Sequence, residues 1–388
     1  MIYKTIITVV VAFIALVIVV PLILNAIGID ILQGGGGSAS GTGVLFRSGD
    51  GGAHWEEAKF LRERRGPLPA YIFDVAAHPT ATTTLFAGAK AAGLWKSEDK
   101  GLTWRPVKDA TGTLAARSDV YRVVISGGRP ETMYVAVYQD SRGRVLKSED
   151  GGASFREIYF VGQRRYGVFD LATSSISPDT VMAATGEGRL ITSDDGGRRW
   201  HFAKVLRDPI VALSMHPRYP NEGYLLTSRG RTYRTYDGGM TWTDLGVPGQ
   251  GAAMREGNRR VIEHPYSRLA WYPSRTVRGS VTDVLAPDPH RPEVLYRTSR
   301  GVLLHSTDGG SVWQPFSTFI DDLQVPVGGV AVHPTEPNTL MVSAGEAVYT
   351  SRDAGINWSI MRIAGSDPLR EIFIHPDDPA VVFIASGR

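Results

Sequence analysis

The chain has 388 residues, 43% of them hydrophobic, enough for a large buried core and too many for one compact helical domain. It has no cysteine, which excludes disulfides, zinc–thiolate sites, iron–sulfur clusters and an N-terminal lipidated cysteine. The formal net charge is only +3, from 42 Lys and Arg against 39 Asp and Glu, so nothing in it points to nucleic acid, and the location of charge matters more than its sum.

The first element is an apolar run over residues 5–28 with no charged side chain. About 20 such residues cross a bilayer core. The run is longer than the apolar part of a secretory signal, and Leu24-Asn25-Ala26 is a poor cleavage match, so residues 1–33 are expected to be an uncleaved transmembrane anchor. Lys4 precedes the run and Asp30 is the first charge after it, which predicts a single-pass protein of the inner (cytoplasmic) membrane with its N-terminus in the cytoplasm and the remainder periplasmic or otherwise extracytoplasmic. Residues 34–42, GGGGSASGT, read as a flexible tether.

From residue 43 onward one pattern recurs seven times: SGDGGAHW from Ser48, SEDKGLTW from Ser97, SEDGGASF from Ser148, SDDGGRRW from Ser193, TYDGGMTW from Thr235, STDGGSVW from Ser306 and SRDAGINW from Ser351. The hydroxyl residue and the aspartate can accept hydrogen bonds from turn amides, and the glycine supplies a positive φ. Flanking apolar alternation makes each copy a hairpin. Asp50, Asp99, Asp150, Asp195, Asp237, Asp308 and Asp353 are therefore read as structural. A second pattern recurs out of phase: IFDVAAHP from Ile72, VALSMHP from Val211, VAVHP from Val330 and IFIHP from Ile372. Each is a strand closed by a proline turn. With one further strand and the hairpin this makes a four-stranded unit of about 45 residues, the size of a propeller blade.

The phase at the ends sets the topology. The first unit lacks its leading strands, and the last unit, from residue 371, lacks its hairpin. The prediction is an all-β, seven-bladed β-propeller over residues 43–388, with six continuous blades and one composite blade that joins both ends of the propeller sequence and leaves no open sheet edge in the ring. Spacing between successive hairpin aspartates is 49, 51, 45, 42, 71 and 45 residues, so residues 248–279 are an insertion between two blades. It contains Arg255, Arg259, Arg260, Arg268, Arg275 and Arg278, with Trp271 and Tyr272 among them. Other blade-to-blade connections carry Arg64, Arg65, Arg164 and Arg165. All belong to the end opposite the aspartate turns. They are either a solvated basic rim or a docking surface for an acidic protein face or anionic lipid.

Aligned first strands place Asp74, Arg122, Asp170, Ala212, Asp283, Gly329 and Glu371 at equivalent positions around a central channel. Their carboxylates either bond neighbouring blades or act as acid and base on a glycoside. His78, His216, His333 and His375 fall in four different blades, too dispersed to chelate one ion, so no metal and no cofactor is expected.

The S-x-D-x-G-x-x-W copies resemble the Asp-box, or BNR, repeats of sialidases, family 74 glycosidases, the sortilin family and the photosystem II assembly and stability propellers. The resemblance covers nearly the whole chain and carries fold more firmly than function. There is no sialidase-type Arg-Ile-Pro after the tether, and a cysteine-free chain does not fit a sortilin layout. The photosystem assembly propellers, single rings with an arginine-rich surface, are the most similar. This resemblance implies a non-enzymatic structural subunit or assembly factor of an integral membrane protein complex, a photosynthetic reaction centre among the candidates, contacted through the transmembrane helix and the basic rim. The alternative is a glycan-binding or glycoside-hydrolysing propeller.

Overall fold

Alternating apolar strands and tight turns build seven four-stranded antiparallel sheets, six of them from consecutive strands, and one of these six is extended by a fifth, parallel strand. The protein is described by a computed structural model over residues 44–61, 69, 71–164, 166–174, 177–206, 208–216, 218–247, 284–299, 302–316, 327–363 and 367–387. Blades 1 to 6 begin with the strands Ile72–Ala77, Asp119–Ile125, Val168–Thr173, Ile210–Met215, Leu285–Pro287 and Val327–Val332. Blade 7 is composite: Leu369–Ile374 and Val382–Ser386 from the C-terminal part pair with Leu45–Ser48 and Glu56–Glu57 from the N-terminal part. Its closing register runs from Leu45 opposite Ala385 to Ser48 opposite Val382. The fold is the seven-bladed propeller expected from the repeat phase.

The expected anchor over residues 1–33, the tether over 34–42 and the insertion over 248–279 lie outside the described residues. Among the described residues no helix is long and apolar enough to cross a membrane, so the structure lends the N-terminal transmembrane helix no support.

Burial follows strand position within a blade. Second strands such as Leu85–Ala89, Val181–Thr185 and Leu340–Ala344 are buried at every residue, because both faces of the sheet pack on neighbouring blades. Their sequences are correspondingly apolar without alternation. Outer strands such as Ser359–Arg362 are exposed throughout. One strand was not anticipated from sequence. Lys59–Phe60 leaves the composite blade and pairs in parallel with Thr103–Pro106 of blade 1, placing Phe60 opposite Trp104. The Phe60 ring lies 5.2 Å from Trp95, edge-on, and 5.9 Å from Trp104, stacked, so a two-residue strand is fixed by one aromatic anchor.

The seven aspartate turns share one hydrogen-bond pattern. In the second copy the Ser97 hydroxyl donates to Asp99 Oδ1 at 2.7 Å and accepts from the Gly101 amide at 2.8 Å, while the Thr103 amide donates to Asp99 Oδ1 at 2.9 Å. Two successive residues have positive φ. The first position tolerates Lys100 (56°) and Ala354 (60°), whereas the second, at 80° for Gly101 and 95° for Gly52, is glycine in every copy. Hydrogen bonds to the charged carboxylate, led by the Ser154 hydroxyl, hold Asp150 down at about 2.

The His-Pro turns follow a related rule that the sequence did not disclose. Nδ1 of each histidine accepts backbone amides two and three residues on, as His216 does from Arg218 and Tyr219, both at 3.2 Å. The proton must then sit on His216 Nε2, which donates to the Asp288 carbonyl of blade 5 at 3.0 Å. Burial lowers the His216 pKa, so the folded state resists protonation. Its contribution to stability is present above the ordinary histidine value of about 6.5 and is lost as pH falls below it. We expect His216→Ala to cost about 1–2 kcal/mol in urea unfolding at neutral pH, and less under mildly acidic conditions.

Candidate functional site

Antiparallel pairing puts the aspartate turns and the His-Pro turns at one end of the ring and the connections between blades at the other. The first strands line the central channel. In five described blades they carry a bulge at one site: pairing skips a residue between Ile72 and Asp74, Val120 and Arg122, Val168 and Asp170, Ile210 and Ala212, and Val327 and Gly329. Blade 7 breaks between Leu369 and Ile372. A bulge re-aims the side chains beside it. Here it gathers Asp74, Arg122, Asp170 and Glu371 as charged neighbours from four blades.

Arg122 lies between two carboxylates. Its Nη1 donates to Asp74 Oδ1 at 3.0 Å, and its Nε forms an ion pair with Asp170 Oδ1 at 3.1 Å. Each aspartate also crosses to the next blade: Asp74 Oδ2 accepts the Val123 amide and Asp170 Oδ2 the Leu213 amide, both at 2.7 Å. The Asp74 side chain is 4% exposed and that of Asp170 14%. Burial pushes Asp170 up to about 6 against the pull of Arg122 and the amides. Burial, reinforced by Asp74, pushes Glu371 up to about 8. The nearby Asp74 and Asp170 carboxylates raise Arg122, which stays charged. The equivalent positions Ala212 and Gly329 carry no charge. Gly329 is dictated by packing, since a Cβ there would lie 2.5 Å from the Arg370 carbonyl. Asp283 lies outside the described residues.

The bulged residues themselves are aromatic in three successive blades. Phe73 and Tyr121 have ring centroids 4.8 Å apart, Tyr121 and Phe169 5.7 Å, and Tyr71 extends the arc from Phe73 at 5.2 Å. All four are half-buried. The recurrent aromatic before each charged residue, as Phe73-Asp74, Tyr121-Arg122 and Phe169-Asp170, was a usable signal that ordinary strand composition concealed. A half-buried aromatic arc beside buried carboxylates can stack against a flat apolar surface and receive hydrogen bonds from it, which suits a sugar ring or a peptide side chain.

Other candidate residues are not gathered. The seven hairpin aspartates stay in separate turns. Arg164 is exposed between blades 2 and 3. Arg64, Arg65, Arg165, Arg255, Arg259, Arg260, Arg268, Trp271, Tyr272, Arg275 and Arg278 lie outside the described residues. At the aspartate-turn end, a groove of about 550 Å³ between blades 1 and 2 mixes Lys96, Arg105 and Lys108 with Glu98, Asp99 and Asp150. Among the described residues no three His, Asp or Glu side chains are placed to hold a metal ion.

No protein-family model matches the chain. A curated relative, the oligoxyloglucan-reducing end-specific xyloglucanase of Emericella nidulans, is 24% identical over 345 residues, an alignment covering 74% of this chain and 40% of the relative. The chain therefore spans well under half of that protein. Among solved structures, a family 74 xyloglucanase from Xanthomonas campestris superposes with a TM-score of 0.59 at 14% identity, covering 82% of this chain and 51% of that one. YCF48 bound to a D1 peptide superposes with a TM-score of 0.58 at 16% identity, covering 85% of this chain and 99% of that one. YCF48 from Cyanidioschyzon merolae gives 0.58 at 16%, with 82% and 97% covered. These likenesses establish the fold. The expectation of a non-enzymatic protein does not survive them: the curated relative is a xyloglucanase by name, aligned across most of this chain, and family 74 structures share the ring.

Proposed function

We propose that this propeller is an extracytoplasmic docking subunit or assembly factor of an integral membrane protein complex, with a photosynthetic reaction centre as the first complex to test. Residues 1–33 serve as its membrane anchor in this reading. The arginine-bearing connections, from Arg164 to the insertion over 248–279, form the contact surface for an acidic protein face, with anionic lipid as a secondary contact. One observation carries the proposal. The peptide-bound YCF48 propeller is matched over 99% of its length, ring for ring, whereas the xyloglucanase structures are matched over half.

A second reading, glycoside cleavage, is favoured by the xyloglucanase relative and by the channel carboxylates, of which Glu371 would be a proton donor at neutral pH. Against it stands the engagement of Asp74 and Asp170 with amides of the next blade, which leaves those oxygens little freedom to meet a substrate.

The test is purification of the tagged full-length chain from gently solubilised native membranes. We expect co-purifying membrane subunits, and at least a tenfold loss of them on combined charge reversal at Arg259, Arg260 and Arg275 without a change in thermal stability. A propeller that purifies alone and cleaves xyloglucan oligosaccharides would replace the docking reading with the second one.

A further inference from the structure

The seam where blade 7 meets blade 1 lies beside the Leu45–Ser48 and Val382–Ser386 pairing that closes the ring, and its two ends are built differently. At the aspartate-turn end it is held by complementary contacts. Lys100 Nζ meets Asp378 Oδ2 at 2.6 Å, and Arg47 Nε donates to the Lys100 carbonyl at 2.8 Å. The Trp104 ring lies 6.0 Å from Phe383. At the channel the arrangement is reversed. The first strands of blades 7 and 1 are in sparser contact than those of blades 6 and 7 or blades 1 and 2. Across that thinner contact Glu371 faces Asp74, a like charge.

Three carboxylates, Asp74, Asp170 and Glu371, share the single guanidinium of Arg122, which already bonds to Asp74 and pairs with Asp170. Among the described residues Glu371 has no hydrogen-bond partner for its carboxyl group. No other described element packed against its strand supplies a compensating cation. Val327–Val332, Leu340–Ala344 and Val382–Ser386 contain no ionisable side chain. Arg370, next in the chain, donates through Nε to the Gly387 carbonyl at 2.8 Å. Tyr71, on the blade 1 side, is neutral, pushed up to about 12 by burial. A fully ionised cluster would thus set three carboxylates against one guanidinium in a half-buried channel.

We propose that the Asp74–Arg122–Asp170–Glu371 cluster is a proton-operated clasp on ring closure, in which a proton bound at Glu371 holds the channel end of the blade 7–blade 1 seam together and its loss loosens that end alone. The inference does not depend on whether docking or glycoside cleavage is the protein's activity. Its direction follows from linkage. A carboxyl raised from its ordinary value to about 8 binds a proton in the folded state that the unfolded chain has released, so its contribution is complete below about pH 4.5 and is lost as pH rises through about 8. Asp170, raised to about 6, has completed its own loss by then. His216, His305, His333 and His375 are all lowered from the usual histidine value by burial, and the hairpin aspartates titrate lower still. Among these groups, Glu371 is the one whose linked loss of stability extends from about pH 6 to about pH 8.

The test uses the purified full-length chain. Its melting temperature should fall by a few degrees between about pH 6 and about pH 8 and level off above, and the near-isosteric Glu371→Gln variant should lack that fall. Asp170→Asn, which removes one competing charge, should bring the levelling-off to lower pH. Hydrogen exchange, corrected for the intrinsic effect of pH, should accelerate over Ile72–Ala77 and Leu369–Ile374 in the parent chain and not in Glu371→Gln. An unchanged fall between about pH 6 and about pH 8 in Glu371→Gln, or faster exchange spread evenly round the ring, would overturn the proposal.

Discussion

Replacing Arg122 by methionine is expected to destabilise the propeller by about 2–3 kcal/mol near pH 8, less than for a fully buried ion pair because the Arg122 side chain is 37% exposed to the channel. The substitution keeps most of the side-chain volume and deletes the guanidinium that bonds to Asp74 at 3.0 Å and pairs with Asp170 at 3.1 Å. Both aspartates must remain near their positions, because their other oxygens accept the Val123 and Leu213 amides. Two carboxylates would then stand in the channel without a counter-charge, and each would take up protons more readily than in the parent chain. The loss should therefore be largest above pH 7 and shrink as pH falls toward about 5, where protonation neutralises the pair. Chemical unfolding of Arg122→Met at the two pH values measures this. A triple change that adds Asp74→Asn and Asp170→Asn should regain part of the alkaline loss, since the asparagine side chains can still accept the cross-blade amides without charge. A loss independent of pH would mean that Arg122 acts by packing alone.

What the sequence made legible was whatever recurs with a fixed period. Seven Ser/Thr-x-Asp-x-Gly turns and the phase offset of the His-Pro strands were sufficient for blade number and for the composite blade, because each copy is a local turn requiring no distant partner. Aligning the first strands also placed Asp74, Arg122, Asp170 and Glu371 together. The bulges beside them were hidden, since one extra residue inside an apolar strand leaves no mark on periodicity. With the bulges went the arc of Phe73, Tyr121 and Phe169, whose side chains read as ordinary core. The Lys59–Phe60 strand escaped because two residues are too few to show a period, and its position depends on Trp95 and Trp104 more than thirty residues on. The expectation that the chain lacks enzymatic activity failed for a different reason. It weighed a missing sialidase motif and the likeness of a single arginine-rich ring to the assembly propellers, whereas the likeness to a xyloglucanase is spread thinly, at 24% identity, over most of the chain.

Trp104→Ala is the second large effect, and it bears on what the hairpin aromatics do. Trp104 is fully buried, and its Nε1 donates to the Gly101 carbonyl of its own turn at 3.0 Å. Trp55, Trp242 and Trp358 make the same bond to Gly52, Gly239 and Gly355. The indole thus ties the turn to the core by a polar bond as well as by its burial. Trp104 alone is also sandwiched by the seam, stacked 5.9 Å from Phe60 of the added strand and edge-on to Phe383 of the composite blade at 6.0 Å. Truncation should cost about 3–5 kcal/mol through the cavity and the lost transfer energy, against a smaller loss for Trp358→Ala, whose ring is only partly buried. The location of the damage matters more than the total. Because Trp104 holds both Phe60 and Phe383, its loss should release the Lys59–Phe60 strand and open the aspartate-turn end of the seam. Exchange should then accelerate over Leu45–Ser48, Lys59–Phe60 and Val382–Ser386, with blades 3 and 4 protected as before. If Trp358→Ala proved equally costly and equally local to blade 7, the closure would rest on the ring as a whole and not on the aromatic contact that Trp104 makes across the seam.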